Sequence, residues 1–278
     1  MLKGLTRAGI GELSSDKQFI ELASKYGFQS VEVDAEALIN EHGLKGAQEL
    51  LETNGMVIGS VNLPVEWRNS EQEFLDGLTK LTVQAQAAVS LSCRTFCTYI
   101  LPSTNRSPAE FAIQTIRRLR LCAQIIGGFG IKLGIEFVGP HHWRTAFNHP
   151  FIYKLEDTLA LIDAIGCSNV GLLLDSYHWH SSGLTTADID QLSANQIVYV
   201  HINDAKALPI EQLLDNDRLY PGEGVIDLVG FLRSLQRIGY QGVVAQEVIV
   251  PNTIAMTAED SLIRSQLGFE RVFSNIEE

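Results

Sequence analysis

Residues 169–183 read NVGLLLDSYHWHSSG. From Val170 the chain is apolar or glycine until Asp175, and a polar, aromatic stretch follows. A short continuous apolar run of this kind fits a strand of a parallel sheet that is covered on both faces, with its polar residue at the C-terminal tip. Three further segments repeat the design: IKLGIEF (131–137) reaches Glu136, IVYVH (197–201) stops at His201, and VVAQE (243–247) stops at Glu247.

Working outward from these four, strands are expected near Gly4–Ile10, Ser30–Asp34, Val57–Asn62, Arg94–Ile100, Ile131–Phe137, Val170–Asp175, Ile197–Ile202 and Val243–Ile249. The helical periodicity is clearest over Ser15–Tyr26, Glu71–Ser90, Pro108–Gly127, Leu155–Ile165, Ile226–Ile238 and Ala258–Phe273. Ser14 or Ser15, Ser107 before Pro108, and Thr257 stand where helix caps belong, and Gly27, Gly130 and Gly239 fall just past helix ends. Alternating strands and helices point to a parallel sheet, and eight units in one chain point to a (β/α)8 TIM barrel. A doubly wound open sheet has the same alternation. The expected glycine fingerprint of a dinucleotide fold is incomplete, however, since AGIGEL (8–13) lacks the third glycine. No linker or charge block divides the chain, so residues 1–278 are read as a single domain.

Composition narrows the function. The 278 residues carry 21 Lys and Arg against 33 Asp and Glu, a formal net charge of −12, and 45% are hydrophobic. That is ample for a large core and unfavourable for a phosphate backbone, so nucleic acid is not an expected partner. No apolar stretch is long enough for a membrane span and no leader pattern opens the chain, which places the protein in the cytoplasm with no membrane partner. Cys93, Cys97, Cys122 and Cys167 lack paired zinc-ligand spacing and are read as reduced thiols of the core.

In a TIM barrel, functional side chains sit at the C-terminal strand ends. Counting back in twos from the four polar tips gives Gly134, Leu173 with Gly171, Tyr199 with Ile197, and Ala245 with Val243, all suited to a packed barrel interior. Glu136, Asp175, His201 and Glu247 would then face one another at the mouth as a divalent-metal cage, because three grouped carboxylates need a cation to remain ionised. Any one of them alone would more often be a helix-cap partner or half of a salt bridge; four in successive strands are harder to explain that way. His178 and Asp204 follow two of these tips by three residues and are expected at the substrate, Asp204 as an orienting group for ligand or substrate. Arg218 either clamps a polar substrate group or makes a surface ion pair, and Trp67, beside Glu66, either walls the pocket or is an ordered loop residue. His141, His142, Trp143, Phe147 and His149 crowd one loop, whose uneven spacing favours a substrate wall or lid over a second metal site. Glu223 makes PGEG (221–224) a poor phosphate cradle, which favours a neutral sugar or cyclitol.

The segments LGIEFVG, NVGLLLDSYHWHSSG, VYVHINDAKALPIEQLLDNDRLYPGEGVIDL and the Glu247 strand resemble the xylose isomerase-like TIM barrels. This superfamily of sugar isomerases and epimerases also contains endonuclease IV-type enzymes, and the resemblance is strongest to the inosose isomerases of inositol catabolism. The resemblance spans roughly residues 130 to 250, with Glu32 and Asn62 as weaker matches on earlier strands. It implies that Glu136, Asp175, His201 and Glu247 hold one divalent ion, that Glu136 and Glu247 are the acid/base pair, and that His178 and Arg218 contact substrate. The implied chemistry is isomerisation or epimerisation of a ketose or keto-cyclitol, a small polyol or keto sugar, by proton transfer between the glutamates through a cis-enediolate held by the ion. The oxygen-rich cage favours Mn2+ or Mg2+, and its histidine leaves Zn2+ and Co2+ open, with Mn2+ the leading expectation. Barrels of this group often form homodimers or homotetramers. The His-rich loop is longer and bulkier here than in the inosose isomerases. Dehydration of a keto-cyclitol on the same scaffold is the alternative reaction. A phosphodiesterase is disfavoured because strands one to four carry no histidine, and a non-catalytic binding protein because all four ligands are intact.

Overall fold

In a computed structural model that describes residues 1–251 and 256–276, eleven strands and ten helices alternate along the chain. The strands are β1 (Leu2–Leu5), β2 (Ser30–Val31), β3 (Val57–Ile58), β4 (Val61–Asn62), β5 (Thr95–Ile100), β6 (Ser103–Thr104), β7 (Lys132–Phe137), β8 (His149–Pro150), β9 (Val170–Asp175), β10 (Ile197–Ile202) and β11 (Val243–Gln246). The helices are α1 (Asp16–Lys25), α2 (Ala35–Thr53), α3 (Glu71–Ser90), α4 (Pro108–Gly127), α5 (His141–Arg144), α6 (Leu155–Ile165), α7 (Ser176–Ser181), α8 (Thr186–Asp190), α9 (Leu228–Arg237) and α10 (Ala258–Phe273). Nine strands form one sheet in the order β3-β2-β1-β11-β10-β9-β7-β5-β4. Its two end strands, β3 and β4, are separated only by Gly59 and Ser60. They are two halves of one barrel strand, the first paired parallel with β2 and the second parallel with β5. The sheet thereby nearly closes on itself, with eight barrel positions as the alternation requires. The short β6 and β8 pair antiparallel as a separate ribbon.

Several boundaries differ from the sequence expectation, for local reasons. The first strand stops at Leu5, where its register with β11 ends. Thr6 Oγ1 then accepts the Ala8 amide and Gly9 takes a left-handed conformation, turning Arg7 to Ile10 into a loop. The second strand ends early because Asp34 caps α2, accepting the Ala37 amide. Gly43, at φ 71° and ψ 159°, interrupts α2 and shifts the phase of its buried residues, which hides that helix from a periodicity search. By contrast Ser15 and Thr257 cap as expected, and Gly27, Gly130 and Gly239 are all left-handed.

The barrel interior consists of Cys97, Leu173, Tyr199 and Ala245, with Val243 against them. Leu173, Tyr199 and Ala245 lie two residues below Asp175, His201 and Glu247, as alternation along a strand dictates. Tyr199 is the bulky member and glycine makes room around it: a Cβ on Gly59 would collide with the Tyr199 and Ser30 hydroxyls. At Gly134 a Cβ would lie 3.1 Å from Cys97 Sγ. Large and small residues thus fill a solid floor, and the polar strand tips stand above it.

Candidate metal centre

Register brings the four tips together. His201 is aligned with Asp175 on one side and with Ala245 on the other, Glu136 is aligned with Leu173, and Glu247 follows β11, its amide donating to Ile202 O at 3.0 Å. One ligand atom from each of Glu136, Asp175, His201 and Glu247 lies within 4.8 Å of the others. Among the described residues, this is the one group of three or more His, Cys, Asp and Glu so gathered.

The neighbours of each ligand differ. Asp175 Oδ1 accepts the Tyr177 and His178 amides at 2.7 and 3.1 Å as the N-cap of α7, while Oδ2 accepts from Asn203 Nδ2 at 2.9 Å and Arg218 Nη1 at 3.1 Å. Burial opposes its ionisation, but Arg218, His178 and His201 outweigh it and hold the carboxyl below the usual range. Glu247 Oε2 accepts from Arg218 Nη1 at 2.9 Å. Burial, reinforced by Glu136 and Asp175 against the pull of His201 and Arg218, pushes its carboxyl up to about 6. For His201 burial acts downward, yet Glu247 and Glu32 raise the imidazole well above its ordinary value. His201 Nδ1 lies 3.6 Å from Glu247 Oε2 and 3.7 Å from Glu136 Oε1.

Both His201 Nδ1 and Glu136 Oε1 are buried without a hydrogen-bond partner. A ring nitrogen and a carboxylate oxygen both buried without a partner are costly in a protein interior. A divalent cation would satisfy both. The donor set, three carboxylates and one imidazole, is that of a hard to borderline divalent ion.

The profile of the xylose isomerase-like TIM barrel family matches residues 20–269. The chain belongs to that family. It is 27% identical over 273 residues to an inosose isomerase from Bacillus velezensis, covering 95% of this chain and 94% of that one. A solved xylose isomerase domain protein from Alicyclobacillus acidocaldarius superposes with a TM-score of 0.92 at 33% identity, covering all of both chains. The IOLI protein, solved with a binding zinc atom, superposes with a TM-score of 0.82 at 23% identity over 99% of both.

In this xylose isomerase-like barrel a cavity of about 380 Å³ opens above the cage. Glu136, His201 and Glu247 line it on one side, and Arg7, Asn62 and Thr98 are among the residues around them. The wall mixes polar groups with apolar ones such as Ala8 and Leu173, and the volume is that of a small-molecule site. His178 is buried on the first turn of α7, its Nε2 3.8 Å from Glu136 Oε1 and 3.4 Å from Arg218 Nη2, which places it beside the cage.

Three other expectations meet a different geometry. Arg218 is neither a surface ion pair nor a free clamp. It is 2% exposed and binds Asp175, Glu247 and, at 2.7 Å, Asp215. It is brought there because Leu219 and Asp204 exchange backbone hydrogen bonds, folding the loop after β10 back under the cage. Asp204 does not turn to the substrate. Its Oδ1 accepts the Ala205 and Ile226 amides at 2.9 and 2.8 Å, and its Oδ2 accepts those of Gly222 and Gly224 at 3.0 and 2.9 Å. Trp67 is a core residue, 1% exposed and stacked on Phe111, its Nε1 donating to Thr98 Oγ1 at 3.0 Å. Thr98, its acceptor, is what lines the cavity.

The His-rich loop gathers no metal site. Its α5 turn ties to the loop after β10 through Trp143 Nε1, which donates to Asp215 Oδ2 at 3.3 Å, and His149 is exposed in the β6–β8 ribbon. Sequence reasoning gave Glu32 little weight and missed Asn203 and Asp215. Counting in twos would have found two of them. Glu32 shares a strand face with the interior Ser30, and Asn203 shares one with His201. Asp215 carries no comparable signal.

Proposed function

We propose that this chain, acting as one barrel domain over residues 1–278, is a divalent-metal-dependent isomerase or epimerase of a ketose or keto-cyclitol, with an inosose-like polyol ketone as the model substrate. The observation that carries this reading is the cage itself: two glutamates, an aspartate and a histidine converging beneath a cavity, with unpaired ligand atoms on Glu136 and His201. Glu136, Asp175, His201 and Glu247 would hold the ion, with Mn2+ favoured by the three carboxylates and Zn2+, Co2+ or Mg2+ admitted by the same donor set. Bound there, a divalent ion supplies Lewis acidity that makes the proton beside a substrate carbonyl easier to remove.

The protein supplies the proton traffic. Glu136 would take the proton from the carbon between ketone and hydroxyl, because its carboxylate lines the cavity where the substrate would lie. Glu247 would hold and return a proton, because its carboxylate lines the same cavity as Glu136. Return to the same carbon inverts a centre, and return to its neighbour transposes the carbonyl. Arg218 keeps Glu247 and Asp175 in place from behind. His178, at the edge of the cage, is the proposed substrate contact. The inosose isomerase named above and the zinc in the IOLI structure support this reading.

The test is incubation of the metal-loaded enzyme with a panel of inososes and ketoses in deuterium oxide, followed by NMR. Deuterium entering a carbon next to the carbonyl is the expected result. No exchange with any member refutes the proton-transfer chemistry, and a new enone absorbance marks dehydration instead.

A further inference from the structure

We propose that Glu32 is a positioning residue that selects Nδ1 of His201 as the metal-binding nitrogen. Glu32 follows β2, at the opposite ring nitrogen from Glu136 and Glu247, and its amide is anchored to Leu5 O at 3.0 Å. Its Oε1 lies 2.9 Å from His201 Nε2. A carboxylate at that distance requires a proton on Nε2, so the lone pair of a neutral ring is left on Nδ1. Nδ1 is the nitrogen that faces Glu136 and Glu247, and it is buried without a hydrogen-bond partner. The ring is also held edge-on against Tyr199, centroids 5.5 Å apart at 84°, so it cannot easily flip to exchange its nitrogens. Glu32 thus fixes both the tautomer and the ring orientation from outside the ligand set.

This inference rests on the metal site proposed above and not on the reaction. It is tested with protein carrying 15N-histidine and loaded with cadmium-113. Long-range proton–nitrogen spectra should place the cadmium coupling on Nδ1 of His201 and a proton on Nε2. Glu32→Ala should weaken cadmium binding about 10–100-fold in a chelator competition. Glu32→Gln, whose amide oxygen can accept the same Nε2 proton, should keep the Nδ1 coupling and recover most of the affinity. A purely structural role would not move the coupling between ring nitrogens. Coupling on Nε2 in the unmodified protein, or wild-type affinity with Nδ1 coupling in Glu32→Ala, overturns the role of Glu32 while leaving the proposed reaction standing. Failure of the unmodified protein to bind cadmium overturns both.

Discussion

Replacing Asp204 by Asn keeps the side chain's size but converts one of its two acceptor oxygens into a donor. Each oxygen accepts two backbone amides, Ala205 and Ile226 on one and Gly222 and Gly224 on the other. Hydrogen bonds to a charged group contribute about 1.5–3 kcal/mol each, so losing two costs about 3–6 kcal/mol. Burial raises the Asp204 carboxyl even against these four bonds, so desolvation already offsets part of their worth. That favours the low end, about 3 kcal/mol. For a chain of this size the melting temperature should fall by about 6–12 °C. Urea and thermal unfolding of metal-loaded protein read the stability, and KM for the folded fraction reads the site. A clamp predicts the loss of stability with KM within about twofold of wild type. An unchanged unfolding midpoint together with a KM raised about tenfold or more would return Asp204 to the substrate and refute the clamp.

Glu136→Gln and Glu247→Gln should each lower deuterium exchange into substrate by about 10²–10⁴-fold, and a variant within a few fold of wild type removes that glutamate from the proton path. Metal uptake should release about one proton at pH 7, because His201, raised well above its ordinary value in ion-free protein, must lose its proton to become a ligand. Affinity therefore rises with pH, more steeply below about 6 where Glu247 is also protonated; calorimetry in two buffers of different ionisation enthalpy measures the release, and none at pH 7 contradicts the charge state. Burial pushes the Cys93 thiol up to about 11 and Cys122 up to about 12, and Cys97 lies well above its usual value, whereas Cys167 is only half-buried. A thiol reagent at pH 8 should therefore label Cys167 alone in the native state and all four cysteines in denaturant; fast labelling of Cys97 would mean the barrel floor opens.

The four candidate ligands were legible because one local event repeats. A strand that ends in a polar residue marks its own tip, and Glu136, Asp175, His201 and Glu247 stood out because successive strands do so. The barrel followed from repetition of that pattern. What holds the ligands was less legible because it is non-local. Arg218 reaches Asp175 across 43 positions of sequence and Glu247 across 29, through a loop whose return depends on backbone bonds between Leu219 and Asp204. Trp67 was misread because an aromatic residue in a loop after a barrel strand looks the same whether it faces the cavity or, as here, turns inward onto Phe111. Strand ends were overestimated at β1 and β2 because apolar or β-branched residues continue past the last ladder bond, and the side chains that stop the strand there, Thr6 and Asp34, act through turns and caps.

The loop after β10 also bears on the substrate. TIM barrels frequently bind phosphate with backbone amides near their seventh and eighth strands, where glycine lets the chain approach an anion. PGEG (221–224) has that composition, and the amides of Gly222 and Gly224 do converge on an anion, but the anion is the protein's own Asp204 carboxylate. Glu223 adds a second negative charge there, paired with Arg264. The donors that would hold a sugar phosphate are thus already used in folding the loop, and the same fold presents Arg218 to Asp175 and Glu247. One internal carboxylate both stabilises the return that supports the cage and occupies the place where a phosphate would bind. That supports the proposed uncharged polyol ketone over a sugar phosphate held by this loop.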